Sequence, residues 1–485
     1  MGLDSVAVNR RNLPRTRIGR RRRVAARTAL YVSLVLVGGL LAGVYYLMLP
    51  SLEFGMMTAW SGIDWESRRE VQLLREYVRI DTSPKGDTRE GIDWVAEKLR
   101  GMGVEPHIEQ VGDAANLWAI IEGEQRGAVV LHHHVDVEAV VNLEDWTQRP
   151  FHGDVEGPWI YGRGAFDMKS IAIAQLLAVE RLVASGRRPE RSVIVLVTNG
   201  EERGSDLGTR WILREHPELV ERFAVVLTEG GAVEGRTQES FKFWGTEFAQ
   251  KRLLVAWFCH ADRERVAALE SEMLAEGGFF SPPKLIPEAA TFFAAYAPTR
   301  DAAPLRELLS DPRALVRDPV AFADLSSHLR SHFRNEARPQ WLRRRGDAWA
   351  LRVHVLLLPG EDPEQALAEL FPPWRTHGLK MEVFDEAGAG HGSPIDHWAF
   401  EGIGEVLAEH HPDVPHGPLF LPSTLTDARF LRAAGVPTFG FSPFAVLTPE
   451  VLQQRAYGTV NERMSLPGFS EGVELYADVL ERLAG

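Results

Sequence analysis

Four segments between Val129 and Gly231 decide the fold: Val129–Val137 (VVLHHHVDV), Gly162–Ser170 (GRGAFDMKS), Val195–Ser205 (VLVTNGEERGS) and Val225–Gly231 (VVLTEGG). The runs Val129–Leu131, Val193–Val197 and Ala224–Leu227 read as short buried strands, and polar residues follow each one at once. Between them, Met168–Ala184 and Asp206–Glu215 read as helices. Strands alternating with helices predict an α/β fold. Its sheet is mixed but mainly parallel, flanked by helices, with its site beyond the carboxyl ends of the strands. His134, Asp136, Asp167, Glu201, Glu202 and Glu229 then gather at one rim.

A histidine with several carboxylates suits a divalent cation, zinc in particular. If Asp167 bridges two ions, His134 and Glu229 complete one and Glu202 holds the other. Asp136, two residues after His134, suits the task of orienting the imidazole. Neighbours on extended backbone point opposite ways, so one of Glu201 and Glu202 can bind metal while the other takes a proton from the attacking water. Singly, each residue has an ordinary explanation: Asp167 could cap a helix, and Glu229 before two glycines could belong to a turn. Their shared place at element boundaries favours one site.

Working outward, 485 residues suffice for two or three domains. The net charge of −13 hides an arm: residues 1–28 hold nine arginines against Asp4, which makes the arm +8 and leaves −21 for the rest. The basic part is thus an arm and not a nucleic-acid-binding domain. One cysteine, Cys259, excludes an intramolecular disulfide framework and a thiolate zinc cluster. Ala29–Leu49 carries no charge, is long enough to span a bilayer, and follows Arg20–Arg23 and Arg27. The arginines predict a cytoplasmic N-terminus and an exported remainder, periplasmic where an outer membrane exists. Residues 50–63 read as a linker, 64–244 and 379–485 as the two parts of a catalytic domain, and 245–378 as an inserted α+β domain.

Further motifs lie around the rim: Trp146 with Pro150-Phe151 and Gly153, Tyr161-Gly162 before the GRGAFDMK string, Thr426-Asp427-Ala428-Arg429, and Gly435-Val436-Pro437. With them, residues 62–245 and 380–485 resemble the metal-dependent aminoacylases, carboxypeptidases and dipeptidases of the carboxypeptidase S and aminoacylase-1 type. The resemblance implies hydrolysis of amide bonds near a free carboxylate, in small peptides or N-acyl amino acids, with two zinc ions. It implies that His134, Asp167, Glu202 and Glu229 are ligands, Glu201 the general base and Asp136 the orienting acid. It also implies that 245–378 is a lid that often mediates homodimers.

The chain departs from that pattern in three places. The family's last ligand is a histidine shortly before Asn-Glu-Arg, here Asn461-Glu462-Arg463, and Tyr457 or Gly458 takes its place. A water, His391, His397 or His416 could substitute, so one or two ions are expected. His260 stands where the family has a histidine near the oxyanion, within an altered segment, and Leu356 replaces an arginine expected to grip the substrate carboxylate. Two functions follow: a membrane-anchored metal-dependent hydrolase, or a non-catalytic relative that binds or scaffolds.

Overall fold

The computed structural model describes Trp60 and residues 62–235, 241–376, 378–385, 391–445 and 458–485. The three apolar runs lie in the strands Gln125–His134, Arg191–Thr198 and Phe223–Thr228. The first pairs in parallel with both others, and Val129–Leu131, Val193–Val197 and Val225–Leu227 are all buried. Helices cover both faces of such a strand, which is why its residues do not alternate with polar ones.

Nine strands make up this main sheet. Its mixed character comes from the flanks. The hairpin Pro106–Val111/Ala114–Ile121 pairs antiparallel with Arg191–Thr198. On the other side Thr438–Gly440 is parallel to Phe223–Thr228 but antiparallel to Phe241–Gln250. His416–Leu421 then closes the order in parallel with Phe241–Gln250.

The helix Lys169–Ala184 is apolar almost all round because it is covered on two sides, by the sheet and by the C-terminal helix Leu466–Ala484. Its first residue, Lys169, is fully buried, and Nζ donates to the carbonyls of Tyr77 at 3.0 Å and Ile80 at 2.7 Å. These carbonyls end the helix Arg69–Val78, so Lys169 closes that helix from outside. Burial brings its pKa down to about 7. The start of the GRGAFDMKS turn is thereby tied to a helix ninety residues upstream.

A second sheet, antiparallel throughout, contains Phe279–Phe280, Glu336–Arg345, Ala348–Leu357, Arg252–His260 and Lys380–Asp385. Leu254, Ala256, Phe258, Leu351, Val353 and Val355 line its inner face and pack on the helices Arg263–Glu276 and Pro363–Leu370. Sheet membership changes at Lys251 and again after Asp385, against expected boundaries at 244/245 and 378/379. The cause is that Phe241–Gln250 and Arg252–His260 form one nearly unbroken extended run. Its first half pairs with His416–Leu421 and its second half with Ala348–Leu357. The helix Pro287–Tyr296, although inside the inserted stretch, packs on His416–Leu421 of the main sheet.

Met1–Ile63 is a separate unit from Asp64–Gly485, which holds both sheets. Among the described residues no helix is long and apolar enough to cross a membrane, and the expected span Ala29–Leu49 lies outside them.

Candidate metal centre

Register places the rim. His134 pairs with Thr198 and Leu131 with Leu227, so the strands carrying His134, Glu201–Glu202 and Glu229 end at nearly one level. Of the three consecutive histidines only the last reaches this rim. His132 is held between the hydroxyls of Thr198 and Thr228 on the neighbouring strands, both at 2.9 Å. His133 is bonded to Gln175 at 2.8 Å on the helix behind. Burial lowers their pKa values to about 4 and about 3, so both are neutral structural groups.

His134 Nδ1 lies 2.8 Å from the main-chain carbonyl of Asp136. That oxygen can only accept, so Nδ1 carries the proton and Nε2 presents a lone pair to the rim. The Asp136 carboxylate was expected to orient the ring, but it stands 3.7 Å away and is otherwise engaged. Its Oδ1 accepts from the amides of Gly200 at 2.7 Å and Glu201 at 3.2 Å, and its Oδ2 from Glu202 at 3.3 Å. The turn Glu201–Arg203 starts after Gly200, whose φ of 85° favours glycine, and three amides in a row point inward there. Asp136 therefore orients the imidazole through its backbone and the Glu201-Glu202 turn through its side chain.

Asp167 is positioned from the far end of the chain. Glu462, fully buried, accepts at Oε1 from the amides of Phe166 at 3.0 Å and Asp167 at 3.1 Å, and at Oε2 from Arg163 at 2.6 Å. Asn461 beside it accepts from the amide of Thr147 at 2.8 Å. In the sequence, Asn461-Glu462-Arg463 served only as a landmark for the missing histidine. Its own work is to hold the loop that carries Asp167. The one signal for this was an acidic residue in a short polar motif, without any hint of its partner.

Near the rim, Nε2 of His134 approaches Asp167 Oδ1 to 3.3 Å and Glu229 Oε1 to 3.7 Å. The first approach closes no aligned hydrogen bond, and both Nε2 and Oδ1 are buried without a partner. Ligand atoms of His134, Glu201 and Glu229 lie within 4.8 Å of one another, close enough to surround one cation. Burial pushes up the carboxyls of Glu201, Glu202 and Glu229, and each neighbouring acid adds to it. Glu229 reaches about 7 and Glu202, next to Asp167, about 10. Burial disfavours a charged His134, yet Asp167 and Glu229 outweigh it and hold the ring's pKa well above its usual value. Four carboxylates and one imidazole thus converge on a place that calls for positive charge, and the orphaned donor atoms fit a divalent cation.

Arg429, from the Thr426–Arg429 motif, reaches this group too, with Nη1 3.5 Å from Glu201 Oε1. The residues considered as substitute ligands lie elsewhere. His391 is exposed near Glu288, His397 caps the helix Trp398–His410, and His416 lies beside Gly404. Tyr457 is outside the described residues, while Gly458 offers only its carbonyl, 3.5 Å from Arg163. His260 accepts at Nδ1 from the amide of Asp262 at 2.9 Å, a local bond before the helix Arg263–Glu276. Leu356 packs with Leu253, Val255 and Leu425.

Beside the centre lies a cavity of about 560 Å³ into which Asp167 and Glu229 open. Its walls include Phe166, Phe243, Phe292, Tyr296 and Leu419. The profile of peptidase family M20/M25/M40 matches residues 130–482. The chain belongs to this family. Among its relatives, rat aminoacylase-1B is 26% identical over 434 residues, covering 86% of this chain and 96% of that protein. A succinyl-diaminopimelate desuccinylase of Alkalilimnicola ehrlichii is 34% identical over 158 residues, but only 42% of that protein is matched. Among solved structures, an M20 family metallo-carboxypeptidase from Sulfolobus solfataricus superposes with a TM-score of 0.65 at 16% identity, covering 85% of this chain and 99% of the other. Human carnosine dipeptidase 1 gives 0.62 at 13% identity, over 90% and 99%. These two likenesses show the M20 fold.

Proposed function

We propose that this M20 chain is a zinc-dependent hydrolase of amide bonds in small peptides or N-acyl amino acids. The observation that carries the reading is the convergence of His134, Asp167, Glu201 and Glu229 around orphaned, buried donor atoms. His134, Asp167 and Glu229 would hold one ion, and Asp167 with Glu202 a second. When bound, zinc supplies Lewis acidity toward the amide carbonyl and makes the attacking water more acidic.

The protein's own groups do the rest. Glu201, with a carboxyl lifted by burial and by Glu229, takes the proton of the attacking water and passes it to the departing nitrogen. Arg429 steadies the carboxylate that forms. Asp136, through its three amide bonds, keeps Glu201 and Glu202 in register with His134. In the same reading the second sheet acts as a lid over the site. Its edge strand Lys380–Asp385, with Val383 and Phe384 exposed, supports pairing with a second copy. Residues 29–49 anchor the enzyme, with the catalytic part outside the cytoplasm.

Glu201→Gln is the test. It keeps size and hydrogen bonding while removing the base, so kcat should fall on the order of 10³-fold with zinc content unchanged by elemental analysis. Hydrolysis at the wild-type rate would rule out Glu201 as base.

A further inference from the structure

The cavity beside the metal centre has a distinctive charge pattern. Arg338 is the one guanidinium among its described lining residues. It stands on the strand Glu336–Arg345 opposite His354, on the same face as Leu356 two residues further along the partner strand. Its side chain is 44% exposed. Its acidic partner, Glu336, is fully buried and is shared: Oε2 accepts from Arg338 at 3.1 Å and Oε1 from Arg334 at 3.3 Å. Two guanidinium groups on one carboxylate leave a positive charge over. Glu234, another acid of the lining, is already closed by a two-pronged bond from Arg300 at 2.8 and 2.7 Å. It does not draw on that surplus.

The remaining wall is apolar. Phe243 and Leu419 come from the main sheet. Phe292 and Tyr296 come from the helix Pro287–Tyr296, stacked on each other at 4.7 Å. The helical run of the inserted stretch therefore supplies one side of the cavity, and the second sheet supplies its cation.

We propose that this cavity seats the substrate, an amide bearing both an apolar group and a free carboxylate, and that Arg338 takes the carboxylate. The assignment rests on the hydrolase reading above and deepens it. A guanidinium one strand over, on the same face, does what Leu356 cannot. The fork matches a carboxylate in shape as well as charge, and a neutral amide in its place leaves the guanidinium without its anion.

The test uses the full chain, purified in detergent and loaded with zinc, with N-octanoyl-L-leucine and its neutral carboxamide as probes. Wild type should prefer the acid by about 30-fold or more in kcat/KM. Arg338→Gln should raise KM for the acid by about 10- to 100-fold, keep kcat within about threefold, and abolish the preference. Arg338→Lys, a point charge in place of a fork, should raise that KM several-fold, and it decides the matter if the glutamine variant does not fold. An undiminished preference for the acid in Arg338→Gln, or an unchanged KM in Arg338→Lys, would overturn the proposal. If wild type hydrolyses neither probe, the hydrolase reading fails by itself. Calorimetric binding of N-octanoyl-L-leucine then decides for Arg338: weaker binding by the variant supports the seat, and equal or absent binding removes it.

Discussion

Two groups of buried carboxylates sit within this chain, and their surroundings differ in kind. Glu247 is held by both prongs of Arg432 at 2.6 Å and by the amide of Gly440 at 3.1 Å. Glu462 has Arg163 and two amides, and Asp136 has three amides. Around His134, by contrast, Asp167, Glu201, Glu202 and Glu229 crowd together, with Arg429 at 3.5 Å from Glu201 and an Asp167 oxygen that has no partner. Burial raises the pKa of Asp136 and Glu462 too, but His134 and Arg163 oppose it there. In the crowded group the neighbouring acids reinforce it. Charge answered by the chain itself is architecture. Charge left for something else to answer marks the working end of the molecule.

The largest effect should come from breaking the answered kind. Arg432→Met strands Glu247, which is fully buried, and should destabilise the protein by about 3–5 kcal/mol in urea unfolding. A loss below about 1 kcal/mol would mean that Glu247 is not compensated by Arg432, and the contrast would fail.

The crowded kind should respond to pH in the opposite sense from an ordinary ion-paired acid. In protein stripped of metal, Glu229 has its folded pKa raised to about 7 and Glu202 to about 10. A carboxyl raised on folding contributes stability that is full below the usual carboxylate range and is lost as pH rises through the folded value. Stability of the stripped protein should therefore fall from about pH 5 to beyond pH 7. The loss should be on the order of 3 kcal/mol from Glu229 alone, at about 1.4 kcal/mol per pH unit. Saturating zinc should flatten this slope, since the cation takes the place of the protons. Unfolding curves across that range, with chelator and with zinc, check it; identical slopes would deny a cation at the centre.

This division also explains what could be read from the amino acids alone. The crowded group was legible because each member follows an apolar run: His134 after Val129–Leu131, Glu201 after Val193–Val197, Glu229 after Ala224–Leu227. Strand ends in a parallel sheet bring such residues together without further information. The compensating partners were not legible, because pairs such as Glu462 with Asp167 and Glu247 with Arg432 are separated by 295 and 185 residues. No local pattern announces which buried acid an arginine will find. Arg338 was hidden for a related reason: only strand register shows that it shares a face with Leu356. The antiparallel hairpin Pro106–Ile121 escaped because its strands carry His107, Glu109 and Asn116 among the apolar residues, and so show no continuous run.

The smallest change tests whether the two groups are separable where they come closest. Asn461 adjoins Glu462 in sequence, but its side chain serves a different turn, accepting from the amides of Thr147 at 2.8 Å and Gln148 at 3.3 Å. Its φ of 59° is a conformation asparagine tolerates better than alanine. Asn461→Ala should thus cost about 1–2 kcal/mol, from the lost bonds and the unfavourable backbone together. The bonds from Glu462 to Arg163, Phe166 and Asp167 do not pass through that side chain, so Asp167 should keep its place. Zinc affinity measured by competition with a chelating dye should then match wild type while urea unfolding shifts. A variant with normal stability and weakened zinc binding would show the reverse: the Asn461 turn would be setting the metal centre, and architecture and working end would be one network.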